Sequence, residues 1–244
     1  MMLQLGIPAH YCRPNMTPPK ELNVLVVVPS GAYWLAEFSM SLLGMLGYFN
    51  SHKVPGFSGQ SIRVANVKGS ILSTSRLNGL KGAKEIDASH LLYLDTDHTF
   101  PADMLHQLLN RNKDVVAANC TIKKIPALPT ARAKSEHPQG EVVFTDEANK
   151  GLERVWRVGT GVMLLSKRAY MQIPHGAFAM VYKEDEDTYQ GEDWTMCEAL
   201  EKAGVPIYID HRVSWAVGHV GNFEFTHEYV GYVPEKQELE VHDS

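Results

Sequence analysis

The chain has little cysteine, no long apolar run and no excess of positive charge, and each shortage removes a class of protein. Its three cysteines, Cys12, Cys120 and Cys197, are odd in number and widely separated. Neither a disulfide framework nor a Cys-x-x-Cys zinc site can be drawn from them, and a reducing cytoplasmic setting is expected. No stretch reaches the roughly 20 apolar residues of a membrane-spanning helix, and Met1–Lys20 has no apolar run behind a basic start, so a soluble protein is expected. The formal net charge of -5 weighs against a protein built to grip a phosphate backbone, which leaves nucleic acid an unfavoured partner. Internal repeats and low-complexity blocks are absent. So is a glycine-rich phosphate loop after the first strand, where Pro29-Ser30-Gly31-Ala32 stands instead.

What remains is an ordinary globular composition: 244 residues, 44% hydrophobic and 21% charged, enough for one large α/β domain or two small ones. Met1–Lys20, with Pro8, Pro14, Pro18 and Pro19, reads as an extended arm. Leu22–Val28 is a β-branched run of buried-strand type, followed by helical spacing over Tyr33–Phe49. Strand Ser61–Val67, helix Ile71–Ala83, strand Leu91–Leu94, helix Ala102–Asn110 and strand Asp114–Asn119 continue the alternation, which predicts a parallel, doubly wound sheet. After Cys120 the rhythm changes. Thr121–Gly140 reads as a long loop, Glu141–Thr145 and Leu152–Val158 as a strand pair, and Gly161–Leu165 as a buried strand with Ser166 capping a short helix. His175–Gln190 is irregular, Glu192–Ala203 is helical with Gly204 as its stop, Val205–Asp210 is a last strand, and Trp215–Gly221 leads to an acidic tail.

Four constellations carry chemistry. The first is Leu91-Leu92-Tyr93-Leu94-Asp95-Thr96-Asp97. Its apolar strand ends at two carboxylates, in the position where open α/β sheets bind ligands. Acids that close repel unless a cation intervenes, and a hard divalent ion, Mg²⁺ or Mn²⁺, would remove that cost. The plainer alternative is a helix cap or a solvated turn. The second is Glu192-Asp193-Trp194 after Gly191. Acids in a first helical turn are favoured by the helix dipole alone, but a carboxylate facing a cleft there can take the proton of an acceptor hydroxyl. The third is His219 between Gly218 and Gly221, one of eleven histidines, whose imidazole suits Mn²⁺. The fourth is Gly159-Thr160-Gly161 leading into Val162-Met163-Leu164-Leu165; its glycines permit a tight turn or the close approach of a sugar.

In this order the four motifs resemble the nucleotide-sugar-dependent glycosyltransferases of the GT-A fold, nearest to the family-two-like group that includes bacterial and phage enzymes. The likeness runs from about Leu22 to Gly221. It implies a Rossmann-like α/β fold with a mostly parallel central sheet flanked by helices and a small second β-sheet. Residues 21–222 would form one domain, with a nucleotide-sugar half at 21–119, an acceptor half at 120–222 and an acidic tail at 223–244. It further implies a Mn²⁺ or Mg²⁺ cofactor and a UDP-glucose-like donor. Asp97 would bind the metal directly and His219 late in the chain, with Asp95 beside them contacting ribose or sugar. Val28, Pro29, Ser30 and Thr96 would line the donor, and Arg76 and Asn78 would face it. Asp193 would be the catalytic base, with Glu192 holding acceptor or metal water and Trp194 beside Gly159, Thr160 and Gly161 on the acceptor side.

The chain departs from processive polysaccharide synthases in lacking a Gln-x-x-Arg-Trp sequence. A Glu-Asp pair does not distinguish inversion from retention. Two alternatives stand beside the main reading. One is a phage-type DNA-base glycosyltransferase working in a host cytoplasm, motivated by Lys123, Lys124, Arg132 and Lys134. The other is a non-catalytic nucleotide-sugar-binding relative.

Overall fold

The computed structural model describes residues 21–184, 187–221 and 223–231. The expected N-terminal arm, with Cys12, and most of the expected acidic tail lie outside the described residues. The first half alternates as its sequence predicts: β1 Leu22–Ser30, α1 Ala36–Ser51, β2 Gln60–Lys68, α2 Leu72–Glu85 and β3 His90–Leu94. There follow the two-residue β4 His98–Thr99, α3 Met104–Asn110 and β5 Val115–Ala117. The second half holds β6 Arg132–Ala133, β7 Glu141–Val142, β8 Leu152–Val155, β9 Val162–Ser166 and α4 Lys167–Tyr170. It continues with β10 Val181–Lys183, β11 Thr188–Gln190, α5 Glu192–Lys202, β12 Ile207–Asp210, α6 His211–Trp215, β13 Gly218–Val220 and β14 Glu224–Phe225.

Seven strands form one sheet in the order β2-β1-β3-β9-β5-β12-β8. Alternate residues of its strands feed two cores, as the two-residue period of a strand requires. Leu25, Val27, Leu91, Tyr93, Met163 and Leu165 belong to the core beneath α2 and α5. Val24, Val26, Leu92, Leu94, Val162 and Leu164 belong to the one beneath α1 and α3. Burial on both faces explains why these strands read as continuous apolar runs.

The sheet is mostly parallel, with two exceptions. Between β3 and β5 lies β9, antiparallel to both. A parallel neighbour needs a crossover, usually helical, and no helix separates β5 from β9, so the chain returns reversed. The expected pairing of Glu141–Thr145 with Leu152–Val158 is not formed. β7 pairs instead with β6, inside the segment expected to be a loop, and β8 pairs antiparallel with β12 at the sheet's edge. Two-residue strands carry no period for a sequence to display. His175–Gln190, expected to be irregular, contains a 3-10 turn at His175–Phe178 and the β10–β11 hairpin. Ser166 caps α4 as expected, its hydroxyl accepting from Ala169 N. No helix among the described residues is long and apolar enough to cross a membrane.

Close packing of α2 on β1 places the first functional side chain. A Cβ at Gly79 would come within 2.3 Å of Val27 Cγ1, so only glycine lets the helix lie this near the strand. Arg76, three residues earlier on the same helix face, is thereby carried over the ends of β1 and β3. The buried Tyr93 hydroxyl donates to the Arg76 carbonyl at 2.8 Å and fixes that turn.

Candidate functional site

At the carboxyl end of β3 the chain turns sharply. Asp95 N donates to Gly161 O at 2.9 Å, and the next residues reverse into β4. That strand pairs with β13 so that His98 lies directly opposite His219. Side chains opposed in this way are near neighbours, and the two imidazoles stack with centroids 4.2 Å apart and planes at 13°. Asp97 completes a group of three whose ligand atoms all lie within 4.8 Å of one another.

The ring nitrogens are disposed for a cation. His219 Nδ1 lies 2.7 Å from the Thr121 carbonyl, which can only accept, so Nδ1 carries a proton; Nε2, 3.3 Å from Asp97 Oδ2, donates to that carboxylate when it too is protonated and can ligate a cation when it is not. An imidazole oriented by a backbone carbonyl in this way is the usual metal-ligand arrangement. His98 is 3% exposed, and neither of its ring nitrogens has an oriented hydrogen-bond partner among the described residues, although Nδ1 stands 3.2 Å from Asp97 Oδ1. A buried ring nitrogen left like His98 Nε2, with no partner, is costly unless something binds it. Gly161 makes the room, since a Cβ there would meet His98 Cε1 at 2.5 Å. These residues fit a divalent ion, and two imidazoles with one carboxylate suit Mn²⁺ better than Mg²⁺. Burial would raise the Asp97 pKa, but His219, His98 and Lys123, whose Nζ is 2.5 Å from Oδ2, outweigh it and hold the carboxyl well below its usual range.

Asp95 is engaged elsewhere. Both of its oxygens accept from Arg76 Nη2, at 2.8 and 3.1 Å, so it stands outside the Asp97–His98–His219 group rather than on the metal side. It does not cap α3, whose N-cap is Asp103. Arg76, 3% exposed, also donates to Glu192 at the start of α5. Burial opposes its charge, but Asp95, Glu192 and Asp193 outweigh that and raise its pKa. Asp193 is shifted the other way for an acid. Burial pushes its pKa up, Arg76 offsets part of the rise, and Glu192 adds to it. Its Oδ1 accepts from Trp194 N at 2.7 Å.

Two clefts open near this group, one lined by Asp95 and the other by Asp193, while Arg76 and Glu192 line neither. One, of about 370 Å³, opens at the ends of β1, β2 and β3 and is lined by Pro29, Ser30, Gly31, Ser70, Ser75, Asp95, Thr96 and Asp97, among others. The other, of about 350 Å³, is lined by Asp193, Trp194, Arg157, Tyr189, Gln190 and Lys183, among others. Within it the Arg157 guanidinium lies between the rings of Trp156, at 3.5 Å, and Trp194, at 4.9 Å.

Some expected residues lie apart from these clefts. Val28 is fully buried in the sheet core. Asn78 is exposed on α2, two positions from Arg76 and so on another face of the helix. Gly159 packs on Thr130 and Gly161 on His98, while Thr160 is buried; none of the three lines either cleft. His98 and Arg157 were not singled out from sequence as site residues, and Lys123 stood out only as one of the basic residues of the 121–134 segment. For His98 the available signal was its place directly after Asp97, on the same turn.

No protein-family model matches the chain, and no curated protein sequence matches it. Solved structures do. A197 from STIV superposes with a TM-score of 0.51 at 15% identity, covering 85% of this chain and 91% of that one. GalNAc-T7, solved with UDP, GalNAc and Mn²⁺, superposes with a TM-score of 0.50 at 10% identity over 91% of this chain, which spans 46% of that protein's length. A nucleoside-diphosphate-sugar pyrophosphorylase from Vibrio cholerae matches at a TM-score of 0.43 and 13% identity, over 77% of this chain and 91% of that one, too remote to carry weight. At these identities the likeness is one of fold: the chain has the GT-A type of α/β fold found in nucleotide-sugar enzymes.

Proposed function

We propose that the chain is a metal-dependent glycosyltransferase that moves a sugar from a nucleotide-diphosphate sugar, with a UDP-sugar favoured, to a hydroxyl acceptor. The observation that carries this reading is the Asp97–His98–His219 group, with a buried imidazole whose Nε2 has no partner, reached through Asp97 from a cleft at the strands' carboxyl ends. In this reading that cleft takes the donor, and Ser75 and Thr96 offer it hydroxyls, while the Ser30 hydroxyl is donated to Asn66. A bound divalent ion would supply positive charge for the departing diphosphate. Asp193, on the second cleft, takes the acceptor hydroxyl's proton as that oxygen attacks the anomeric carbon and the carbon–oxygen bond to the diphosphate breaks. Its raised pKa brings it nearer the working pH, which favours a general base. Arg76 is a positioning residue that holds Asp95 and Glu192 in register across the two clefts. Glu192, held by Arg76 beside Asp193, steadies the acceptor.

Three of the four basic side chains of the 121–134 segment are spent singly: Lys123 on Asp97, Arg132 on the Pro129 and Ala131 carbonyls, and Lys134 on Glu201. That dispersion weighs against a nucleic-acid acceptor. Calorimetric titration with UDP-glucose and UDP-galactose, with Mn²⁺ or with chelator, tests the reading in wild type and Asp97→Ala. Binding that needs both the metal and Asp97 is expected. No binding of any nucleotide sugar under Mn²⁺ would refute it, and binding without transfer of labelled sugar to any acceptor would favour a non-catalytic relative.

A further inference from the structure

Lys123 stands where two cations would compete. Its Nζ lies 2.5 Å from Asp97 Oδ2, the same oxygen that His219 Nε2 faces at 3.3 Å. The backbone beneath it is anchored. Ile122 N donates to Leu128 O at 2.9 Å and Lys124 N to Ile122 O at 3.0 Å, and Thr121 bridges Pro129. The aliphatic stem lies along Gly221, where an added Cβ would sit 3.2 Å from Lys123 Cδ. The ammonium can therefore leave Asp97 by rotation of a flexible side chain on a fixed backbone.

We propose that Lys123 is a placeholder cation: it neutralises Asp97 in the free protein and moves to the diphosphate when a nucleotide binds, releasing the carboxylate to a divalent ion. The inference rests on the function proposed above. Of the two carboxylates in the Asp-Thr-Asp turn, Asp95 is balanced by Arg76 and Asp97 by Lys123. A divalent ion on Asp97 Oδ2 would repel an ammonium on the same atom. Asp97 lines the donor cleft, so a diphosphate placed there lies within reach of the lysine stem and offers oxygens that a three-donor ammonium binds well. Lys123 thus opposes metal binding before the nucleotide arrives and supports nucleotide binding afterwards, which makes each ligand favour the other.

The test measures Mn²⁺ affinity from the free-ion paramagnetic resonance signal, and UDP affinity in saturating Mn²⁺ by calorimetry, on the full chain. Lys123→Met should tighten Mn²⁺ alone by about threefold to fivefold, the scale of a partly exposed ion pair, and weaken UDP by about tenfold. Lys123→Arg should keep the wild-type order of both affinities. Lys123 is 34% exposed, and thermal melts verify that the variants are folded. Opposite shifts in the two affinities support the proposal. Mn²⁺ tightened with UDP unchanged, both weakened, or both unchanged would overturn it while leaving the glycosyltransferase reading in place. Absence of Mn²⁺ binding in every sample, with or without UDP, would overturn both.

Discussion

Replacing Arg76 by Met keeps the bulk of the side chain and removes its charge. The guanidinium is 3% exposed and holds Asp95 and Glu192, themselves only 23% and 14% exposed. Removing one partner of a buried ion pair leaves an uncompensated charge and costs about 3–5 kcal/mol. Because Asp95 retains some water, the lower part of that range, about 3–4 kcal/mol, is expected here. For a chain of this size each kcal/mol lowers Tm by about 2–4 °C, so a fall of roughly 6–16 °C is expected at neutral pH. Differential scanning calorimetry reads it directly. Arg76→Met combined with Asp95→Asn and Glu192→Gln should recover most of the loss, since the stranded charges go with their partner. A functional signature accompanies the stability change. Arg76 offsets part of the rise in the Asp193 pKa, so residual transfer in Arg76→Met should lose its acid limb at a higher pH than wild type. A Tm drop below about 3 °C, or a triple variant no more stable than Arg76→Met, would refute the argument that this bridge holds the two clefts together.

Asp193→Asn should reduce transfer by about 10²–10⁴ while raising Tm near pH 7. The folded pKa of Asp193 lies above its unfolded value, so its favourable contribution is complete below the ordinary aspartate pKa and is lost as pH rises through the raised one. A neutral isostere that keeps the bond from Trp194 N avoids that loss, and equal Tm gains at pH 3 and pH 7 would contradict this. Gly161→Ala places a Cβ 2.5 Å from His98 Cε1 and should weaken Mn²⁺ by about 10–100-fold through a displaced ring, read in the same resonance titration; unchanged affinity would remove His98 from the metal group. His98→Ala should abolish Mn²⁺ binding yet lower Tm by less than a typical buried truncation, because it also deletes a buried Nε2 that has no partner. A Tm loss above about 10 °C would count against that.

The runs Leu22–Val28, Leu91–Leu94 and Gly161–Leu165 announce their strands because both faces of the sheet are covered, and the helical spacings of α1, α2 and α5 are equally plain. The direction of β9 was not legible, since a strand's sequence does not record which way its neighbours run. Asp97 and His219 could be picked out as candidates because Asp97 follows a strand's end beside a second acid and His219 lies among small residues. His98 is different. What marks it is a cross-strand register between β4 and β13, strands of two and three residues, too short to leave any periodicity. Asn78 illustrates the opposite error: proximity to Arg76 in sequence is not proximity on a helix, where two positions span more than half a turn.

The small sheet that aligns His98 with His219 also ties the end of the described chain to its middle. Its third strand, β14, is held there by Glu224, which accepts from the Thr99 hydroxyl. An ion held in common by Asp97, His98 and His219 would therefore act as a clasp as well as an electrostatic device, closing a long loop that the polypeptide otherwise secures with a few backbone bonds. Amides of β13 and β14 should then exchange with solvent more slowly when the ion is present, and a protease should reach this segment more readily in chelator, so that loading and closure become a single event.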